Sequence, residues 1–80
     1  MTIADKIRTG RLPREKCQVT WFGPGLGRRC DACDRPIVTT DIECECDQTA
    51  GGTIRFHQGC FQLWETIALR EPEADLRGRS

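Results

Sequence analysis

Cysteine and histidine recur in this chain in two tight pairs, Cys30-Asp-Ala-Cys33 and, 23 residues later, His57-Gln-Gly-Cys60. A two-residue spacer lets one turn aim both of its ligand side chains at a common centre. It also leaves backbone N–H groups near the turn free to face the sulfurs and offset thiolate charge. Three thiols and one imidazole in two such pairs complete a tetrahedral donor set, which is the requirement of a structural Zn²⁺ site. The pattern therefore predicts one structural zinc ion held by Cys30, Cys33, His57 and Cys60. Free buried thiols or a disulfide are the competing readings.

Size sharpens this expectation. At 80 residues the chain buries little apolar surface, and scaffolds so small usually depend on a disulfide, a metal or a partner. Structural zinc contributes roughly 10–16 kcal/mol of apparent binding free energy coupled to folding. That matches the whole stability of an ordinary domain. Six cysteines suit either a disulfide framework or a metal site, depending on compartment. The opening residues lack an apolar run of signal-peptide length, and no stretch approaches the roughly 18 apolar residues of a membrane span. These features point to the cytoplasm, hence to metal.

Periodicity outlines the elements. Ile3 and Ile7 lie four apart, so residues 2–9 suit a short helix that must dock or fray. Cys17 to Phe22 has strand character, and Gly23-Pro-Gly-Leu-Gly27 is a connector into the first pair. From Asp41 to Asp47 the chain alternates strictly, placing Ile42, Cys44 and Cys46 inward and a solvated row of acids outward. Ala50-Gly-Gly52 forms a turn, and Ile54 and Phe56 alternate again, so this hairpin delivers His57 to the metal. Phe61, Trp64, Ile67 and Ala68 then recur at helical spacing over residues 60–70, with Pro72 beyond. Residues 1–16 read as a basic N-terminal arm, 17–70 as a zinc-binding domain and 71–80 as a polar tail. The fold class is a small α+β zinc-stabilised domain.

Knuckle, hairpin and a helix bearing the second ligand pair at its start follow in the order of a treble-clef zinc finger, which residues 28–70 resemble. The ligand pattern with Phe61-x-x-Trp64 is similar to the first zinc-binding half of a LIM-type module. Position 63 is Leu and no further ligand pair follows Cys60 in this sequence, so the double-finger function of LIM domains does not carry over. The string Leu12-Pro-Arg, Trp21, Cys30 to Ile37, Phe56 to Cys60 and Trp64 also resembles short bacterial zinc-finger-like proteins of unassigned function. That likeness implies no activity.

The chemistry available argues against an enzyme. A catalytic zinc needs an open coordination position and a nearby general base, whereas the single His is already a ligand and no Glu stands beside it in an H-x-E or H-E-x-x-H context. The expected role is docking to a larger protein as an adaptor, regulator or inhibitor. Charge supplies candidate contacts: seven basic residues against two acids up to Cys30, then six acids against one Arg as far as Ile54. Arg8, Arg11, Arg14 and Lys16 of the arm, Arg28 and Arg29 before Cys30, and Trp21 are the candidate partner-binding residues. Nucleic-acid binding through the same cations is the alternative, opposed by zero net charge and the acidic strand. Cys17, Cys44 and Cys46 are read as core residues, with a second metal site or thiol redox sensing as the competing assignments. Trp21 and Phe22 are expected to cover the zinc knuckle, since so small a core needs every large side chain.

Overall fold

A computed structural model describes residues 2–69. Helix α1 (Ile3–Arg8) is followed by strand β1 (Val19–Pro24), the hairpin strands β2 (Ile42–Asp47) and β3 (Thr53–His57), and helix α2 (Gln58–Ala68). The strands form one antiparallel sheet in the order β1-β2-β3, and α2 packs on one face of it. Among the described residues no helix is long and apolar enough to cross a membrane. The tail expected at residues 71–80 lies outside them.

The core is aromatic and small. Phe56 stacks on Trp64 with ring centroids 5.2 Å apart, and Phe61 closes the group at 5.7 Å from Phe56 and 5.9 Å from Trp64. The predicted stripe is the packed face of α2: Phe61, Trp64 and Ala68 are buried and Ile67 is partly so. Trp64 is fully buried and its indole N–H donates to the Pro13 carbonyl at 3.0 Å. A large amphipathic ring is thereby satisfied at its polar end.

That bond shows what the N-terminal residues do. α1 starts with a capping box, the Thr2 hydroxyl accepting from the Asp5 N–H and the Asp5 carboxylate from the Thr2 N–H, a pairing that fixes the first turn. Ile3, Ile7 and Leu12 are buried with the aromatic group. Lys6 is only 2 % exposed, and its ammonium donates to the Asp31 carbonyl at 3.0 Å and to Asp34 Oδ2 at 2.8 Å. Residues of the expected N-terminal arm, 1–16, thus contribute buried side chains to the same core as the rest of the described chain. The short helix docks because an isolated six-residue helix has too few hydrogen bonds to offset its nucleation.

Four expectations are corrected. Cys17 and Cys46 are joined in a disulfide, Cα–Cα 5.2 Å; Gln18, just before β1, donates its N–H to the Asp47 carbonyl at 2.7 Å and holds this stretch against β2. Closing a loop across 29 positions stabilises a chain by about 3–4 kcal/mol in the chain-entropy account. Trp21 and Phe22 do not cover the knuckle; they are 59 % and 58 % exposed. The acidic row of β2 is not simply solvated either. Glu43 is 3 % exposed, because Arg55 approaches it across the pair, at 3.5 Å, and the loop through Leu26 folds over it, its N–H donating to Glu43 Oε1 at 3.4 Å. Ile42, expected inward, is 44 % exposed at the end of its strand.

Gly25 lets that loop close. A Cβ there would lie inside contact distance of the carbonyl oxygens of Ile37 and Val38, which are backbone atoms with no rotamer to escape into. Gly25→Ala should lower stability by about 1–3 kcal/mol, the range for overpacking at a rigid site. Urea denaturation followed by tryptophan fluorescence measures it, and a change within error of zero would show that the loop can move.

Candidate metal centre

The first ligand pair sits on a tight ribbon. Arg29 and Pro36 pair across it, the Ile37 N–H donates to the Arg28 carbonyl at 2.7 Å, and the Cys30 N–H donates to the Arg35 carbonyl at 2.9 Å. The turn closes with the Asp34 N–H donating to the Cys30 carbonyl at 2.8 Å. Asp34 takes a left-handed backbone, φ 67°, a conformation that Asp tolerates better than most residues. Its exposed carboxylate is held by Lys6, whose hydrogen bond is the main cause of a pKa below the usual carboxylate range. Buried Lys6 thus braces the knuckle from α1.

The second pair comes from the junction of β3 and α2. His57 is the last residue of the strand and the N-cap of the helix, and Cys60 lies in the helix's first turn. No side chain caps α2 and its first turn holds no acid. The Cys60 sulfur stands at the partly positive helix N-terminus instead, where the macrodipole would favour a negative charge.

These two segments converge. The ligand atoms of Cys30, Cys33, His57 and Cys60 all lie within 4.8 Å of one another, so the four residues can hold one metal ion. His57 Nδ1 lies 3.3 Å from Cys33 Sγ and 3.9 Å from Cys60 Sγ. The other ring nitrogen, Nε2, is 3.1 Å from the Pro36 carbonyl oxygen. A carbonyl only accepts, so Nε2 carries the proton and Nδ1 presents a lone pair to the sulfurs. A carbonyl behind the imidazole fixing tautomer and ring orientation is the usual outer support of a metal-ligating histidine. The His57 backbone N–H also points at Cys30 Sγ, 3.5 Å away.

Proton affinities in the cluster reflect three sulfurs competing for little solvation. Burial works against the Cys33 thiolate. The Arg35 backbone N–H, hydrogen bonds from Cys30 and Cys60, and the nearby His57 outweigh it and hold Cys33 below the usual thiol range. Cys60 is pushed up to about 12 by burial first and then by Cys30 and Cys33. A cation among the sulfurs removes this conflict, since metal binding exchanges thiol protons for the ion. The donor set fits a thiophilic divalent metal.

The remaining candidates fall elsewhere. Cys17, Cys44 and Cys46 are not part of the cluster; the first and last are bonded to each other, and Cys44 is fully buried opposite Phe56. Arg8 pairs with Asp5 on its own helix at 2.7 Å, Arg28 approaches Glu45 at 3.6 Å, and Arg29 donates to the Asp34 carbonyl at 2.8 Å. Arg14 and Lys16 are exposed, and Arg11 borders a small polar hollow with Lys6, Asp31 and Asp34. Lys6, Pro36 and Asp31 were not foreseen as supports of the site. Only their position beside the ligand pair could have suggested Asp31 and Pro36, and nothing local marks Lys6. Compared with models of known protein families, with curated proteins and with solved structures, the chain matches none.

Two measurements test this description. Calorimetric titration of the metal-stripped chain should give one site per chain, and Cys33→Ser or His57→Ala should remove tight binding. A second site that survives both changes would bring other ligands into play. Cys44 offers a pH test. Burial, then the charges of Cys30, Glu43 and Glu65, raise its thiol to about 11 from an ordinary 9.0. The folded state thus keeps a proton that the unfolded chain releases, so the contribution is whole below pH 9 and is lost as pH rises through 11. Cys44→Ala should flatten the fall in urea stability over that window; an unchanged slope assigns the alkaline limb to other groups.

Proposed function

We propose that the chain is a single-zinc, treble-clef-like module, with structural Zn²⁺ on Cys30, Cys33, His57 and Cys60, that acts by docking to another protein as an adaptor, regulator or inhibitor. The observation that carries this reading is the complete set of four protein ligands, clustered with an oriented imidazole and backbone N–H support. Four such donors fill a tetrahedron and leave no position for a reacting water. The order of ribbon, hairpin and ligand-bearing helix supports the treble-clef comparison and, with Phe61 and Trp64 behind the second pair, the likeness to the first half of a LIM-type module. A cytoplasmic setting belongs to the same reading. Glutathione there works against the Cys17–Cys46 bond, so the pair would stand as adjacent thiols, the one feature that favours a redox role.

Charge distribution favours a protein partner over nucleic acid. Lys6 is consumed inside the fold, and Arg8, Arg28 and Arg29 already have acidic or carbonyl partners. A phosphate-binding surface needs several cations on one face. Against this, β1 carries an exposed Trp21 and Phe22, a residue type enriched where proteins meet.

Elemental analysis of the purified protein should find one zinc per chain, and a strong chelator should melt sheet and helix together. Random duplex DNA should bind weakly at physiological salt. Micromolar or tighter binding that falls log-linearly with salt, and that disappears when Arg8, Arg11, Arg14 and Lys16 are all changed to Gln, would replace docking with nucleic-acid binding.

A further inference from the structure

The two edges of the sheet are treated differently. At β3 the Arg55 N–H donates to Asp31 Oδ2 and the Arg55 carbonyl accepts from the Asp31 N–H, both at 2.8 Å, so the knuckle covers that edge. Among the described residues no strand pairs with the outer side of β1. Open edges are usually blunted by charges, bulges or proline. β1 has Pro24 at its end, but otherwise presents Val19, Trp21 and Phe22, and Leu26 follows at 64 % exposure.

Beside this edge lies a groove of about 260 Å³, lined by Trp21, Gly23, Pro24 and Leu26 with Glu43 and Glu45. The register explains its shape: Trp21 stands opposite Glu45, and Gly23 stands opposite Glu43. Glycine has no side chain to roof the carboxylate, so the groove reaches it. Glu43 is 3 % exposed, and its Oε2 makes no hydrogen bond. Its ion-pair partner, Arg55 Nε at 3.5 Å, makes none either and is shared with Glu45 at 3.6 Å. Buried carboxylate oxygens normally have donors. Here one is left short of them at the end of an apolar channel.

We propose that β1 and this groove receive an extended segment of a partner protein bearing a lysine or arginine side chain. The apolar stem lies against Trp21 and Leu26, and the cationic head reaches Glu43 and Glu45. The inference rests on the docking reading and gives the partner its chemistry. Aromatic faces and carboxylates together attract a cation with an alkyl stem. An acidic segment would meet Glu43, Glu45 and Asp47, and a neutral one would bury two carboxylates without supplying a donor. A second copy fits poorly, since residues 19–24 bring no cation.

The test uses the zinc-loaded, ¹⁵N-labelled chain and four peptides, Ac-Thr-Val-Xaa-Val-Thr-NH2, in which Xaa is Lys, Arg, norleucine or Glu. The Lys and Arg peptides should shift the Trp21 indole N–H and the Gly23 and Leu26 amides, with affinity about tenfold or more above norleucine. Glu45→Gln and Trp21→Ala should each weaken them severalfold while zinc content stays at one per chain. Glu43→Gln should act more strongly, and the two surface variants keep the result readable if it unfolds. No shift at about 5 mM peptide, equal binding of the norleucine or Glu peptide, or shifts confined to another face would overturn the proposal. So would concentration-dependent shifts at β1 without peptide, which would assign the edge to a second copy. A purified partner that binds wild type and the Trp21→Ala/Glu45→Gln double variant equally overturns the groove but leaves docking intact.

Discussion

Everything in this fold converges on the crowding of three sulfurs and an imidazole within 4.8 Å. Without a cation the arrangement is self-opposed, since a charge on one thiol raises the cost of ionising the next. The opposite displacements of Cys33 and Cys60 express that conflict. The surrounding structure suits these groups to a shared cation: the helix N-terminus and the His57 N–H aimed at Cys30 favour negative sulfur, and the Pro36 carbonyl orients the imidazole. In so small a core, ligand geometry and packing act as one constraint.

What local pattern encodes was legible in the sequence. The spacing of Cys30, Cys33, His57 and Cys60 predicts their convergence. The alternation of Ile54 and Phe56 predicts the strand that delivers His57, and the period of Phe61, Trp64 and Ala68 predicts the buried face of α2. Long-range register was not legible. Cys17 meets Cys46 through a long-range approach, the stretch before β1 being held on β2 by the Gln18 N–H on the Asp47 carbonyl, and nothing local to either cysteine marks it. The burial of Glu43 depends on Arg55 across the sheet and on a loop admitted by Gly25. Lys6 looks like a solvated helix charge until α1 docks over Asp31 and Asp34.

The charge pattern changes meaning in the same way. Along the chain, a basic stretch precedes an acidic one and suggests two opposed docking faces. In three dimensions the halves fold onto each other, with Lys6 on Asp34 and Arg28 toward Glu45. Part of the apparent dipole is spent internally.

Trp21 shows where a sound general argument yields to a particular one. A small core should recruit every large ring, yet the sheet has only one face packed on α2. Thr20 and Phe22 share that side of β1 and the Phe22 ring meets Phe61 edge-on, whereas the two-residue period turns Trp21 to the other side. There its indole N–H lies 3.4 Å from Asp47 Oδ2, and Glu45 stands opposite. Covering Trp21 would also cover those carboxylates, which are served by the Trp21 indole and the Thr53 hydroxyl on Asp47 and by Arg28 and Arg55 near Glu45. The tryptophan's neighbours on that side are acids, and a group that covered it would have to pack against Glu45 and Asp47 as well.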